Sequence, residues 1–430
     1  MSKPFRLTAA TLAIAALAPA TASAAWTAPT PLSTATEANP IAQGAFGGSV
    51  LTGWLKPTVA LSKNLGAPAA ITAADPFEKA WAAGLDRDGN AVVLTVRKHA
   101  PFQRIRATFV AADGTRSATR TISTDPHSSA QPLLSVAPDG TAAAAWVWHD
   151  PAGWRAQVAV RKPGQAAFGK PQTVSPPAPL QGRYATRPVL NVAAGDGGRA
   201  AVTWQFSAGQ ETPLHVLTAV DRTFGTDQAL PGTSGYADVG LAVGTDGAVQ
   251  LAWLDAHFNG HASSLNVAQG TAGSPLAAPA VLSSGGKGIS SGDQVEATFS
   301  ADGTATVAWA KPGNSYEAGG TLEVFTRAAG GAFGAAQTVA EGAEGVALAG
   351  GPDDSAVLAW MRYVGRRPIV EAVTRAQTGG AFGAAETLSA AGSNALWPSV
   401  AMTPAGDAVA VWVTNTSGGG DGIPTAAINH

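Results

Sequence analysis

The fold class is indicated by one segment, Ser300-Ala301-Asp302-Gly303-Thr304-Ala305-Thr306-Val307-Ala308-Trp309. After Gly303, small or apolar side chains alternate on both faces, with Ala305, Val307 and Trp309 on one of them. A strand that is buried on both faces has this pattern, whereas a helix would repeat its apolar residues every three or four positions. The Asp-Gly pair before the strand favours a two-residue hairpin turn with positive φ. The segment therefore predicts the second strand of a hairpin within a stack of sheets.

The same phrase, Asp-Gly-x-Ala-x-x-x-Trp, recurs along the chain with small variations. Its seven anchors lie between Gly89 and Gly406 at a mean spacing of about 53 residues, which is typical of propeller blades and longer than the common helical repeats. The first of these copies ends in Thr95 instead of Trp. The other copies run from Asp139-Gly140 to Trp146, Gly197-Gly198 to Trp204, Asp246-Gly247 to Trp253, Asp302-Gly303 to Trp309, Asp353-Asp354 to Trp360 and Ala405-Gly406 to Trp412.

A second phrase, beginning Phe-Gly, follows about 20 residues after the first and starts an outer strand, as at Phe168-Gly169 and Phe333-Gly334. Each repeat therefore contains four strands, and the fold class is an all-β, closed β-propeller of four-stranded blades. The segment Trp26–Ser33 matches the second phrase, while the last repeat ends near Ile428 without a fourth strand of its own. We expect the N-terminal strand to complete the last blade, which would remove an open sheet edge.

The blade count depends on the segment between Ser33 and Leu65. Gly48 and Trp54 form a degenerate copy of the repeat there, and this copy gives eight blades. The alternative is seven blades, with residues 26–64 as an extra segment and the strand near 69–72 closing the ring.

The N-terminus has the three parts of a secretory signal peptide: basic residues Lys3 and Arg6, an apolar run of about 12 residues that is too short to span a bilayer, and the small residues Ala22-Ser23-Ala24. We expect cleavage after Ala24, a single propeller domain over residues 25–430, and a secreted, extracellular protein without a membrane span.

Composition excludes several classes of partner and cofactor. The chain has 51 Gly and 29 Pro, which suits many turns, and no Cys, so neither disulfides nor thiolate metal sites contribute. A formal net charge of −2 with no basic cluster argues against nucleic acid. We expect a monomer that needs no cofactor and no metal.

Tryptophan is abundant, and most of it has a structural explanation. A residue that every blade repeats is expected to serve a purpose common to all blades, such as packing a flat ring against the next blade. The residues assigned to this structural repeat are Trp54, Trp146, Trp204, Trp253, Trp309, Trp360 and Trp412. Four tryptophans lie outside the pattern, namely Trp81, Trp148, Trp154 and Trp397.

Candidate binding residues lie on the long, non-repeating loops, where function concentrates on rigid scaffolds. The loop Trp148-His149-Asp150-Pro151-Ala152-Gly153-Trp154 places two indoles around a His and an Asp, a combination that suits a sugar, although Trp148 can also extend the buried stripe of Trp146. The loop after Trp253 has polar residues at alternate positions, which suit either a metal ion or simple solvation. The candidate binding residues are Trp148, His149, Asp150, Trp154, Trp397, Asp255, His257 and His261.

The phrases Ala137–Thr141 and Ser300–Thr304 resemble the Ser-Pro-Asp-Gly repeat of TolB-type propellers, which are mostly binding platforms. The chain is also similar in style to uncharacterised propeller proteins of GC-rich bacteria. The repeat is superficially similar to the Asp-box of sialidases, but here Asp and Gly are adjacent and Trp follows six residues later. That departure disfavours a sialidase, whose arginine triad and Tyr-Glu pair no motif supplies.

No nucleophile elbow, metalloprotease helix motif or phosphate loop is present, so no catalytic residue can be named. We therefore expect a secreted, non-catalytic platform that binds a cell-wall or extracellular glycan or a surface protein. The alternative is a glycan-active enzyme, either a sialidase-like hydrolase or a polysaccharide lyase, with its site at the channel mouth. A quinone-cofactor dehydrogenase is a third hypothesis, and its docking phrase is not matched.

Overall fold

The structure is a computed structural model of the chain. It describes residues 25–32, 40–45, 49–54, 60–63, 69–70, 78–99, 102–123, 127–178, 180–181, 184–185, 188–206, 212–230, 238–255, 263–285, 295–311, 320–377, 380–390, 392–415 and 422–430. All regular elements among these residues are β-strands. No helix in the described ranges is both long and apolar enough to cross a membrane.

The strands form successive antiparallel meanders, and each sheet is named below for its residue at the repeat position. The Trp54 sheet contains Pro40–Ala45, Ser49–Trp54, Ala60–Lys63 and Ala69–Ala70, and the Thr95 sheet contains Glu78–Leu85, Ala91–His99, Phe102–Val110 and Arg120–Thr121. The Trp146 sheet contains Ser129–Val136, Ala142–Asp150, Gly153–Arg161 and Gln172–Thr173. The Trp204 sheet contains Pro188–Gly195, Arg199–Phe206, Leu214–Val220, Thr223–Phe224 and Gln228–Leu230, and a separate hairpin pairs Leu180–Gln181 with Tyr184–Ala185.

The second half of the chain continues the pattern. The Trp253 sheet contains Val239–Val243, Ala248–Asp255, Ser263–Thr271 and Ala280–Gly285. The Trp309 sheet contains Val295–Phe299, Ala305–Lys311 and Gly320–Arg327, and the Trp360 sheet contains Ala356–Val364, Arg367–Arg375 and Glu386–Thr387. The Trp412 sheet contains Asn394–Met402, Ala408–Asn415 and Ile423–Asn429. The described chain is thus an all-β, propeller-like fold of repeated four-stranded sheets.

One long strand, Gln337–Gly350, is shared between two sheets. Its first part pairs with Gly320–Arg327 as the outer strand of the Trp309 sheet. Its last part pairs with Ala356–Val364 as the inner strand of the Trp360 sheet. The two sheets are therefore continuous, which the sequence did not predict.

The N-terminus supplies the outer strand of the Trp412 sheet. Thr30 pairs with Ala426 and Pro31 with Thr425 in antiparallel register. The amide of Thr27 donates to the carbonyl of Ile428 at 2.7 Å, and the amide of Leu32 donates to the carbonyl of Pro424 at 2.8 Å. Residues at the two ends of the described chain are thus hydrogen-bonded to each other.

The hairpin turns of the repeat differ from the two-residue turns expected above. In the Trp146 sheet the Ala137 amide donates to the Thr141 carbonyl and the Gly140 amide to the Ala137 carbonyl, which leaves a three-residue loop. Gly140 has φ +87°, so the loop is a type I turn followed by a left-handed glycine. The Asp139 carboxylate accepts the Thr141 amide at 2.7 Å. The two-residue prediction is wrong, because the Asp-Gly pair forms the second half of a longer loop that the Asp side chain caps.

The repeat tryptophans form the core between sheets, but on the side opposite to the one we expected. Trp146 is fully buried and packs with Leu94 and Ile105 of the preceding Thr95 sheet. Trp253 and Trp360 likewise pack against the sheets that precede them. The prediction that each ring packs against the next blade is therefore wrong. Alternation determines which residues share a face of the strand, but it does not determine which neighbouring sheet that face contacts.

Candidate binding site

Each sheet has two ends with different connections. The turn end carries the Asp-Gly loops, and the loop end is where the second strand finishes, the third begins and the first strand of the next sheet enters. The described candidates belong to the loop end. Trp148, His149 and Asp150 end a second strand and Trp154 lies at the start of the third strand that follows it. Asp255 ends another second strand, and Trp397 lies near the start of a first strand.

From the Thr95 sheet onward, a polar residue on the third strand stands opposite the repeat position, whereas Trp54 faces Ala60. The sequence analysis missed these polar residues. Trp146 donates from Nε1 to Oε1 of Gln157 at 3.1 Å, and Trp360 donates to Oε2 of Glu371 at 3.1 Å. In these seven sheets the signal was a polar residue 11 to 14 positions after the repeat position. The residues opposite the repeat positions from the Thr95 sheet onward are Arg106, Gln157, His215, Asn266, Glu323, Glu371 and Thr425.

Glu371 is the most strongly held of these residues. Its carboxylate accepts Nε of Arg362 at 2.9 Å and Nη2 at 2.6 Å, as well as the indole of Trp360. The Arg362 hydrogen bonds lower the pKa of Glu371 below its ordinary value, against the opposing effect of burial. A carboxylate held ionised by a bidentate guanidinium is a structural anion and a poor general acid.

Glu371→Gln should change the acid stability of the protein. Because the pKa is depressed in the folded state, Glu371 stabilises the fold above the unfolded pKa of about 4.3 and loses that effect as pH falls through the folded pKa. Denaturant unfolding at pH 7 should show a loss of about 1–3 kcal/mol for the variant. Below about pH 4 the difference from wild type should shrink. Glu386→Gln serves as the control, and a difference that persisted unchanged at pH 3 would refute the assignment.

The Trp148–Trp154 loop is a tight hairpin whose residues face two different sheets. Trp148 packs beside Trp146 against the Thr95 sheet, with its ring centroid 5.3 Å from that of His127. His149 and Trp154 lie directly opposite each other with ring centroids 4.8 Å apart, and Trp154 packs against the Trp204 sheet. The structure therefore separates the two indoles and does not bring them together around one ligand position.

Asp150 has a local role in that hairpin. Its Oδ1 accepts the amides of Ala152 and Gly153, and its Oδ2 lies 2.8 Å from Nε of Arg155. These contacts occupy the carboxylate, so Asp150 fixes the turn.

Trp397 is a candidate residue with an exposed aromatic side chain. It lies near the start of Asn394–Met402, is 43 % exposed, and has φ +54°. Its amide contacts Sδ of Met361 on the preceding sheet at 3.3 Å. A non-glycine residue with a left-handed backbone carries strain of the kind that concentrates at functional positions.

The strain at Trp397 belongs to a β-bulge that other first strands share. Trp397 and Pro398 together face Trp412, between the register pairs Leu396–Val413 and Ser399–Val411. Gln131 and Gly345 have φ +53° and +58° at the same register of the Trp146 and Trp360 sheets. The bulge re-aims the residue at the loop end, and only Trp397 among these three places an aromatic ring there.

Tyr363 is a second exposed aromatic residue near Trp397. It follows Met361 by two positions on Ala356–Val364, so the two side chains share one face of the strand. Met361 packs against the cluster around Trp412, which shows that this face meets the sheet carrying Trp397. Tyr363 is 49 % exposed. Trp397, Met361 and Tyr363 are called the aromatic corner below.

Of the remaining candidates, one lies on another sheet and two lie outside the described residues. Asp255 ends the strand Ala248–Asp255, half-buried and opposite Ser264. His257 and His261 lie outside the described residues, so the alternating polar loop is not placed. Within the described ranges, no group of three His, Cys, Asp or Glu side chains could hold a metal ion.

No protein-family model matches the chain, and no curated protein matches it either. Among solved structures, a protein of unknown function from Dyadobacter fermentans is similar with a TM-score of 0.45 and 13 % identity, covering 83 % of this chain and 96 % of its own. An ulvan lyase from a new polysaccharide lyase family has a TM-score of 0.45 and 9 % identity, with coverages of 79 % and 90 %. The NanB sialidase from Streptococcus pneumoniae has a TM-score of 0.39 and 7 % identity, with coverages of 94 % and 93 %.

Proposed function

We propose that the chain is a secreted, non-catalytic propeller that binds an extracellular glycan at the aromatic corner. The observation that carries the proposal is the exposed indole of Trp397, which is held in a strained left-handed conformation at the loop end of an inner strand. An aromatic ring offers an apolar face to the C–H surface of a sugar, and a rigid strand holds the ring in place at little entropic cost.

The proposal includes a closed ring of eight blades. The repeat positions from Trp54 to Trp412 mark eight units, counting the shared strand Gln337–Gly350 for both of its sheets. Seven of these units have four strands, and the Trp204 unit has five. The first strand Pro40–Ala45 lies against Asn394–Met402 of the last unit as well as against Glu78–Leu85 of the second. With the N-terminal strand paired to Ile423–Asn429, these contacts support closure without a free edge.

Export remains part of the same proposal. Residues 1–24 have the layout of a signal peptide, and they lie outside the described residues. An extracellular glycan is a ligand that an exported protein could reach. The Asp-Gly phrases that resemble TolB-type propellers agree with a binding role for the ring.

The absence of catalysis is proposed because several carboxylates near the loop end are already engaged. Glu371 is held by Arg362, and Asp150 caps its own hairpin beside Arg155. Glu323 accepts Ser283 Oγ at 2.6 Å and Lys311 Nζ at 3.1 Å. Glycoside hydrolysis needs one carboxylic acid and one carboxylate free to act on the substrate, which these three residues do not supply.

Trp397→Ala is expected to weaken glycan binding at least about tenfold, because it removes the exposed ring and leaves the buried core intact. Binding is measured on an array of immobilised plant, algal and bacterial polysaccharides, and the best ligand is then titrated by calorimetry. Val281→Ala is the matched control, since Val281 is an exposed apolar residue on an outer strand far along the chain from the aromatic corner.

Two results would contradict the proposal. If folded wild-type protein bound no glycan, or if Trp397→Ala bound as well as wild type, the aromatic corner would not be the site. If instead the protein released sugar ends or unsaturated products from the glycan that it bound, the glycan-active enzyme would replace the non-catalytic platform.

A further inference from the structure

A groove of about 430 Å³ lies at the turn end of two neighbouring sheets, away from the aromatic corner. Its walls come from the segment after the third strand of the Trp146 sheet and from the turn between the third and fourth strands of the Trp204 sheet. The volume is within the usual range for pockets that bind small molecules. The polar side chains lining it are Lys170, Gln172, Asp221, Arg222 and Thr223.

The turn that forms one wall has non-glycine residues with positive φ, unlike the corresponding described turns of the other sheets. The residues with positive φ at this turn are Asp221, at +51°, and Arg222, at +71°. The corresponding turns of the other sheets, where described, place a glycine in the left-handed conformation. Those glycines are Gly114, Gly164, Gly273, Gly330 and Gly380. A two-residue turn with both residues left-handed strongly favours Asn-Gly or Asp-Gly, so the arginine is placed where glycine would cost less free energy.

The neighbouring contacts hold Arg222 in place at the groove. Its Nη1 donates to Oε1 of Gln165 at 3.0 Å, and its carbonyl accepts Nε2 of Gln172 at 2.6 Å. Asp221 is ion-paired with Lys162, which leaves Lys170 and Arg222 as the cationic groups of the lining. The groove is therefore electropositive in a chain whose formal net charge is −2.

We propose that this groove binds an oxyanion, a sulfate or carboxylate group carried by a small ligand, between Lys170 and Arg222. A guanidinium presents paired N–H donors that match the oxygens of such groups, and an ammonium adds a point charge. The proposal explains why this position is arginine. Glycine would relieve the backbone strain, but only arginine provides the side chain that contacts the anion. The site is separate from the proposed glycan site and does not depend on it.

The test uses sodium sulfate and sodium glucuronate as probes, with glucose as the neutral comparison, and the full mature chain as the protein. Titration followed by NMR is expected to give saturable binding of at least one of the two anions and none of glucose. Binding of sulfate alone identifies a sulfate-type ligand, and binding of glucuronate alone identifies a carboxylate.

Arg222→Gly separates binding from folding. Since glycine adopts φ +71° without penalty, this variant should melt no lower than wild type while its anion affinity falls about tenfold or more. Lys170→Gln should also weaken binding, and Arg120→Gln, a change of an exposed arginine on an outer strand, should not. The proposal is overturned if neither anion binds, or if Arg222→Gly and Lys170→Gln both bind as tightly as wild type.

Discussion

Removal of residues 25–32 is expected to cost the folded protein roughly 4–6 kcal/mol, because several backbone hydrogen bonds and an apolar contact are lost together. The segment pairs with Ile423–Asn429, and Thr27 both donates to and accepts from Ile428. Trp26 also packs against the cluster around Trp412. Without the segment, the last sheet exposes the unpaired edge of a strand of seven residues.

The measurement is urea unfolding of the mature chain with and without the segment, followed by tryptophan fluorescence. A synthetic peptide of residues 25–32 added to the shortened protein should restore part of the stability in a concentration-dependent way. A chain with Ala28→Ser, a change of an exposed residue outside the paired positions, serves as the control. Equal stability of the shortened and complete chains would mean that the N-terminal strand does not hold the ring together.

Asp354→Ala is expected to destabilise the protein by about 3–5 kcal/mol, because it leaves a buried charge without its counter-ion. The Arg375 side chain is 0 % exposed, and its Nη2 lies 2.8 Å from Oδ1 of Asp354. Nη2 also donates to the hydroxyl of Thr306 and Nη1 donates to that of Thr326, both in the preceding sheet, while Nε donates to the backbone carbonyl of Asp354. Burial lowers the pKa of Arg375 and raises that of Asp354, so both charged groups bear a desolvation cost that their contact offsets only in part.

A double-mutant cycle isolates this pair. Arg375→Met alone removes the buried charge, and the Asp354→Ala/Arg375→Met double variant should be more stable than the sum of the two single losses predicts. Asp353→Gly is the control at the adjacent position, where φ is +49° and glycine is tolerated well. If the two losses simply added, the ion pair would contribute nothing specific to the fold.

The strand pattern and the repeat could be predicted from the sequence because a buried strand and its turn use few residue types. The alternation from Ala305 to Trp309 is enough to assign a strand that is covered on both faces. The direction of tryptophan packing was not predictable, since alternation places Trp309 on a face without indicating which sheet meets it. The three-residue loop was not predictable for a related reason, because Asp-Gly suits both a two-residue turn with two left-handed residues and a three-residue loop in which only Gly is left-handed.

The candidate site was harder to predict than the fold. Trp397 was selected because it falls outside the repeat, and its exposure was not deducible since the bulge that presents it depends on the register with Trp412. Asp150 was selected for its chemistry, and the hairpin uses that carboxylate for two of its own amides. Arg222 was not selected at all, although its place in a turn where other sheets have glycine is visible in the sequence.

The shared strand Gln337–Gly350 also limits how the chain can be cut and rejoined. In the other sheets the outer strand ends before the next inner strand begins, as with Arg120–Thr121 and Ser129–Val136, so new termini between two such strands would leave both of them intact. Termini placed within Gln337–Gly350 would divide a strand that is paired on both sides, with Gly320–Arg327 and with Ala356–Val364. Circular permutation should thus be tolerated between other sheets and fail at this junction, which makes these two sheets the smallest unit that can be moved or duplicated together.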